Sequence, residues 1–122
     1  MKLIDSSGWI DFFVEGPKGS EYAKHLKDLA QIITPTIVLY EVYKKIKRDR
    51  TEEEALLAVS FMNKTQIIPL EESIALLAAD LSLKFSLPMA DAIVYATAVQ
   101  KDAKVITSDA DFKDLDKVVF IS

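Results

Sequence analysis

No cysteine occurs in the chain, which excludes a disulfide framework and any zinc site built on thiolates, and which suits a reducing cytoplasm. The only histidine, His25, has no acidic or serine motif around it and reads as a surface residue, so no nucleophilic triad is in view. With three glycines and four prolines there is no low-complexity tract, internal repeat or linker, and the 122 residues are expected to form one domain with a proper core. No apolar run approaches the roughly eighteen residues a membrane span needs, so no membrane partner is expected. The start, Met1-Lys2-Leu3-Ile4-Asp5, meets a carboxylate too soon for a signal peptide. Basic charge is also in deficit, with 15 Lys and Arg against 19 Asp and Glu and a net charge of −4. That argues against a protein that coats nucleic acid through its overall charge. It does not exclude an enzyme that reaches a phosphodiester through metal ions.

What is present centres on Leu87-Pro88-Met89-Ala90-Asp91-Ala92-Ile93-Val94-Tyr95-Ala96-Thr97-Ala98. Pro88 reads as a helix start, and the residues after it are apolar on nearly every face, the pattern of a helix buried inside a domain. Asp91 falls in its first turn, where an unpaired carboxylate is costly. A metal ion shared with other acids is the sharpest way to compensate it.

Strands are expected at Lys2-Leu3-Ile4, Gln31 to Thr34, Thr65 to Ile68, Lys104 to Thr107 and Val118 to Ile121. Helices are expected after Ser6, over Ser20 to Leu29, from a Thr36 cap to about Asp49, from a Thr51 cap through Phe61, and from Glu71 to Phe85. Strands alternating with helices imply an α/β fold, with a mainly parallel sheet of four or five strands covered by helices on both faces.

In such a sheet ligands sit beyond the carboxyl ends of the strands. Asp5 follows the first strand, Asp109 and Asp111 follow Val105-Ile106-Thr107, Asp91 opens one helix and Glu41 lies in the early part of another. Helix starts and strand ends share one edge of a parallel sheet, so acids far apart in sequence can converge there. Each also fits a plain role by itself. Asp5 can cap the helix at Ser7, Asp91 can complement a helix dipole, Asp109 can make an Asx turn, and Glu41 can be surface decoration. Converging carboxylates repel, and their hard oxygens favour magnesium or manganese over zinc.

Leu3-Ile4-Asp5-Ser6-Ser7, Glu41 in a helix after Pro35-Thr36, Pro88-x-x-Asp91-Ala92-x-x-x-Ala96-Thr97-Ala98 and Thr107-Ser108-Asp109-Ala110-Asp111-Phe112 together resemble the PIN domain. The likeness covers residues 1–122 as a single PIN-like domain, and the small size resembles the VapC toxin ribonucleases of toxin–antitoxin modules. This resemblance implies a Mg2+- or Mn2+-dependent endoribonuclease whose acidic site is Asp5, Glu41, Asp91 and Asp109. Asp5 and Asp91 would be the most direct metal ligands, and Asp109 a ligand directly or through water. Glu41 would hold metal-bound water and help activate it. Ser7 and Thr107 match positions that hydrogen-bond the carboxylates, and Asp111 matches a less constant acid. The partners implied are RNA, a VapB-like antitoxin and a second copy of the chain.

RNA binding ordinarily shows as basic surface. The one concentrated basic run is Lys44-Lys45-Ile46-Lys47-Arg48-Asp49-Arg50, from which Lys44, Lys45 and Lys47 are expected to guide RNA toward Glu41. The same run also fits a solvated helix end that complements the dipole. Trp9, Phe12, Phe13 and Tyr43 are expected in the core or a dimer contact rather than as base-stacking platforms. A receiver domain would need an aspartate after the third strand, where Pro69 stands, and a haloacid-dehalogenase-type phosphatase would need one where Ser7 stands. The alternative that survives is a non-catalytic PIN-like module that binds RNA or protein.

Overall fold

Apolar and β-branched residues concentrate in short segments, and in the computed structural model, which describes residues 1–122, five of these are strands. They are β1 (Lys2–Ile4), β2 (Ile32–Pro35), β3 (Gln66–Ile68), β4 (Lys104–Thr107) and β5 (Val118–Phe120). The order across the sheet is β3-β2-β1-β4-β5, and every pairing is parallel. Successive residues of a strand face opposite sides. Yet Leu3, Ile4, Ile32, Ile33, Val105 and Ile106 are all at most 1% exposed. Both faces are therefore covered, as the expected α/β architecture requires.

The covering helices are α1 (Ser6–Phe13), α2 (Gly19–Ala23), α3 (Thr36–Asp49), α4 (Glu52–Met62), α5 (Glu72–Phe85) and α6 (Met89–Lys101). Crossovers between parallel strands are right-handed as a rule, and with this strand order that rule assigns α1 to α4 to one face and α5 with α6 to the other. The packing agrees: α1 lies against α2 and α3, α3 against α4, and α5 against α6. Helix α6 is buried continuously from Ala92 to Ala98. Trp9, fully buried, stacks on Phe13 with centroids 5.6 Å apart and meets Phe61 of α4 edge-on, so Trp9 is core and the two phenylalanines pack against it at the core's margin.

Two local expectations need correction. The spacing of Tyr22, Leu26 and Leu29 predicts one helix over Ser20 to Leu29, but α2 ends at Ala23. The amides of His25 and Leu26 reach back only three residues, and Asp28 starts a separate tight turn by accepting from the Ala30 amide. The spacing marks residues that turn inward, Tyr22 and Leu26 buried and Leu29 partly so, not a continuous helix. Thr36 does not cap α3: it is the first helical residue, and Pro35, with its fixed extended backbone, holds the cap position. Thr51 does cap α4, its hydroxyl accepting from the Glu54 amide at 3.0 Å.

The chain moves from β1 to β2 on one side and returns to β4 on the other, so the topological switch point lies between β1 and β4. Gly8 helps to build this corner. A Cβ there would come within 2.4 Å of the Tyr22 ring, and only glycine lets that ring pass and donate to Ser108 Oγ, just beyond β4, at 3.0 Å.

Candidate active site

The register that sets Ile4 beside Ile106 carries Asp5 next to Thr107 at the carboxyl edge of β1 and β4. Asp5 is 5% exposed. Its Oδ1 accepts from the Gly8 amide at 2.9 Å, while Oδ2 accepts from Ser7 Oγ at 3.0 Å and Thr107 Oγ1 at 2.5 Å. Asp5 thus caps α1 and faces the switch point as well. With both lone pairs of Oδ2 taken, Oδ1 keeps one for a further partner. The Thr107 hydroxyl also accepts from the Asp109 amide at 2.9 Å, and Asp109 Oδ1 accepts from the Asp111 amide at 2.9 Å. One threonine therefore fixes both Asp5 and the loop that carries the next two acids.

Asp91, in the first turn of α6, completes the centre. Carboxylate oxygens of Asp91, Asp109 and Asp111 all lie within 4.8 Å of one another. The tightest trio therefore includes Asp111, with Asp5 set deeper. Burial, then repulsion from Asp109, Asp111 and Glu41, pushes Asp91 up from 3.8 to about 7. Glu41 is raised by burial and by Asp5, against the pull of the Ser6 hydroxyl. Asp5 is raised by burial, which outweighs its three hydrogen bonds, and by Asp109. Each acid feels another across the edge, so all five belong to one electrostatic unit.

Beside Glu41 a groove of about 440 Å3 runs between α1 and α3, from Ser6 and Ser7 to Lys44, Lys45 and Arg48. Lys47 is not among its lining residues. It lies over the Tyr43 ring, 5.3 Å from the centroid, and pairs with Glu52 at 3.3 Å. Arg48 lines the groove, although its place in the basic run does not mark it. The signal that finds it is helical spacing, since residues 41, 44, 45 and 48 share one face.

A model of the PIN domain matches residues 2–118. The chain belongs to the PIN domain family. No curated relative matches it. Among solved structures, this PIN domain is similar to a toxin–antitoxin complex from Klebsiella pneumoniae, at 27% identity and a TM-score of 0.82, over 98% of this chain and 96% of that one. It also resembles VapBC2 from Rickettsia felis bound to a promoter DNA fragment, at 16% identity and a TM-score of 0.79, over 98% and 96% of the two chains. VapC20 from Mycobacterium tuberculosis, a sarcin-ricin loop cleaving toxin, shares 13% identity and a TM-score of 0.76 over 93% and 92%. The last two likenesses carry the fold alone.

The residues of this PIN domain fit a divalent cation. The donors are all hard carboxylate oxygens, three of them mutually close, and their repulsion is the kind a cation removes. No single helix is long and apolar enough to cross a membrane.

Proposed function

We propose that this PIN domain is a Mg2+- or Mn2+-dependent endoribonuclease, the VapC-type toxin of a toxin–antitoxin pair, acting in the cytoplasm. The observation that supports the reading is the meeting of Asp91, Asp109 and Asp111 within 4.8 Å of one another at the carboxyl edge of the sheet, with Asp5 and Glu41 near enough to bear on their charge. Asp91 and Asp109 would hold the cation, with Asp5 contributing through the free lone pair of Oδ1 and Asp111 closing the same side. A cation bound there supplies a polarised phosphodiester and a more acidic water. Glu41, whose carboxyl is raised by burial and by Asp5, would accept the proton of the attacking water. Ser7 and Thr107 hold the Asp5 carboxylate in one orientation. Lys44 and Lys45 guide the RNA backbone along the adjoining groove.

The toxin reading also names partners. A VapB-like antitoxin matches the complexes formed by similar chains. The apolar groove of about 350 Å3 between α1 and α4, lined by Phe13, Ile46, Leu57 and Phe61, suits its apolar side chains. Leu76, Leu83 and Met89, which are 62%, 86% and 75% exposed, suit contact with a second copy of the chain.

Mixed RNA incubated with the protein tests this directly. Cleavage is expected with Mg2+ or Mn2+, to stop in chelator, and to be lost in Asp5→Asn. RNA binding with no metal-dependent turnover would favour the non-catalytic module instead.

A further inference from the structure

The groove beside the acids combines features that recognise an unpaired strand. Tyr40, which lines the same groove as Glu41, is 57% exposed. Lys44 lies over its ring at 5.4 Å from the centroid and donates to its hydroxyl at 3.2 Å. Lys45 and Arg48 continue the line toward the end of α3, about 6 Å and about 10 Å along the axis from Glu41 at the rise of a helix. Both are gripped by Asp49, which Arg48 Nε approaches at 2.8 Å and Lys45 Nζ at 3.3 Å.

Asp49 is the informative residue. A carboxylate in the last turn of a helix opposes the dipole, and an exposed ion pair contributes little to stability. Its physical effect is to pair with two cations that line the groove, occupying the charge that a phosphate would use.

We propose that this groove is the track for one single-stranded flank of the RNA, with Tyr40 stacking on a base, Lys44, Lys45 and Arg48 contacting the backbone, and Asp49 acting as a built-in competitor that tempers their grip. The inference rests on the nuclease reading and adds the route and strandedness of the substrate. A single strand offers base faces and phosphates together, whereas a duplex hides the former.

Binding of a short, labelled, mixed-sequence single-stranded RNA to the full chain tests the track, with Asp5→Asn as the parent so that the probe survives in Mn2+. Tyr40→Ala is expected to weaken binding roughly tenfold while Tyr40→Phe retains it. Arg48→Gln is expected to lower the slope of log affinity against log salt by about 0.7. Asp49→Asn is expected to tighten binding severalfold and steepen that slope. Lys64→Gln, at the opposite edge of the sheet, serves as the charge control and is expected to match the parent. Thermal melts confirm that these exposed substitutions keep the fold.

Parental affinity in both Tyr40→Ala and Arg48→Gln would overturn the track, as would weaker binding in Asp49→Asn or equal binding of the matching duplex. Cleavage assays on the otherwise wild-type chain separate the two readings. Turnover with an unchanged KM in the groove variants would discard the track alone, whereas no metal-dependent turnover in the unsubstituted protein would discard the nuclease.

Discussion

Asp91→Asn is expected to reduce RNA cleavage more than about a hundredfold, beyond what losing an outer partner of a metal ligand costs, while leaving the metal-free protein as stable as before or more so. Asparagine keeps the shape of the side chain and the first turn of α6 but removes a charge that burial and three neighbouring acids disfavour. Two effects of opposite sign compete. The favourable interaction of Asp91 with the N-terminus of α6 is worth about 0.3–1 kcal/mol. Relief of desolvation and repulsion is worth on the order of 1 kcal/mol once the raised pKa is discounted for solvent screening of a half-buried group. The net is therefore zero or a small stabilisation, read as the melting temperature in chelator at pH 8. A severe loss of folding in Asp91→Asn would make Asp91 a structural residue and would remove the acid on which the metal reading leans most.

The second large effect is a change of sign in pH dependence when metal is added. In the metal-free folded chain Asp91 takes up a proton near pH 7, but in the unfolded chain only near its ordinary value of 3.8. Between those values the folded state binds more protons. The resulting stability is complete below about pH 3.8 and is lost as pH rises through about 7. The raised carboxyls of Asp5 and Glu41 act in the same direction. Asp49, lowered to about 2 beside Arg48 and Lys45, and Asp102, lowered by Lys117, act oppositely only in stronger acid, whereas His25, lowered by burial and by Lys2, opposes the trend inside this window as one group against three. In chelator, melting temperature should therefore climb as pH falls from 8 to 5. With saturating Mn2+ that gain should vanish or reverse, because the cation favours the ionised carboxylates and protons compete with it. Identical pH profiles with and without Mn2+ would contradict a metal site at this edge.

The sequence exposes much of this because its strongest signals are topological. Asp5 and Asp109 each follow a short apolar strand and Asp91 follows Pro88 at the head of a helix too apolar to sit anywhere but the core. In a parallel sheet those positions share an edge whatever the loops do. Thr107 could be placed by the same logic, because parallel register pairs the residue after one strand with the end of its neighbour. Finer geometry was less legible. Periodicity at Tyr22, Leu26 and Leu29 marks burial, and turns bury such residues as well as a helix does. The entry of Asp111 into the tightest acid trio depends on a turn closed by the Asp109 side chain. The choice between Lys47 and Arg48 depends on which side of α3 meets α1, which spacing from Glu41 decides and proximity within the basic run does not.

Calorimetric titration of Mn2+ into the wild-type chain and into Asp91→Asn tests the account at its centre. Saturable binding by the wild type at pH 7.5, lost or greatly weakened in Asp91→Asn, is the predicted result. Equal binding by the two proteins, or none by either, would mean that these acids do not hold a cation, and the nuclease reading would fall.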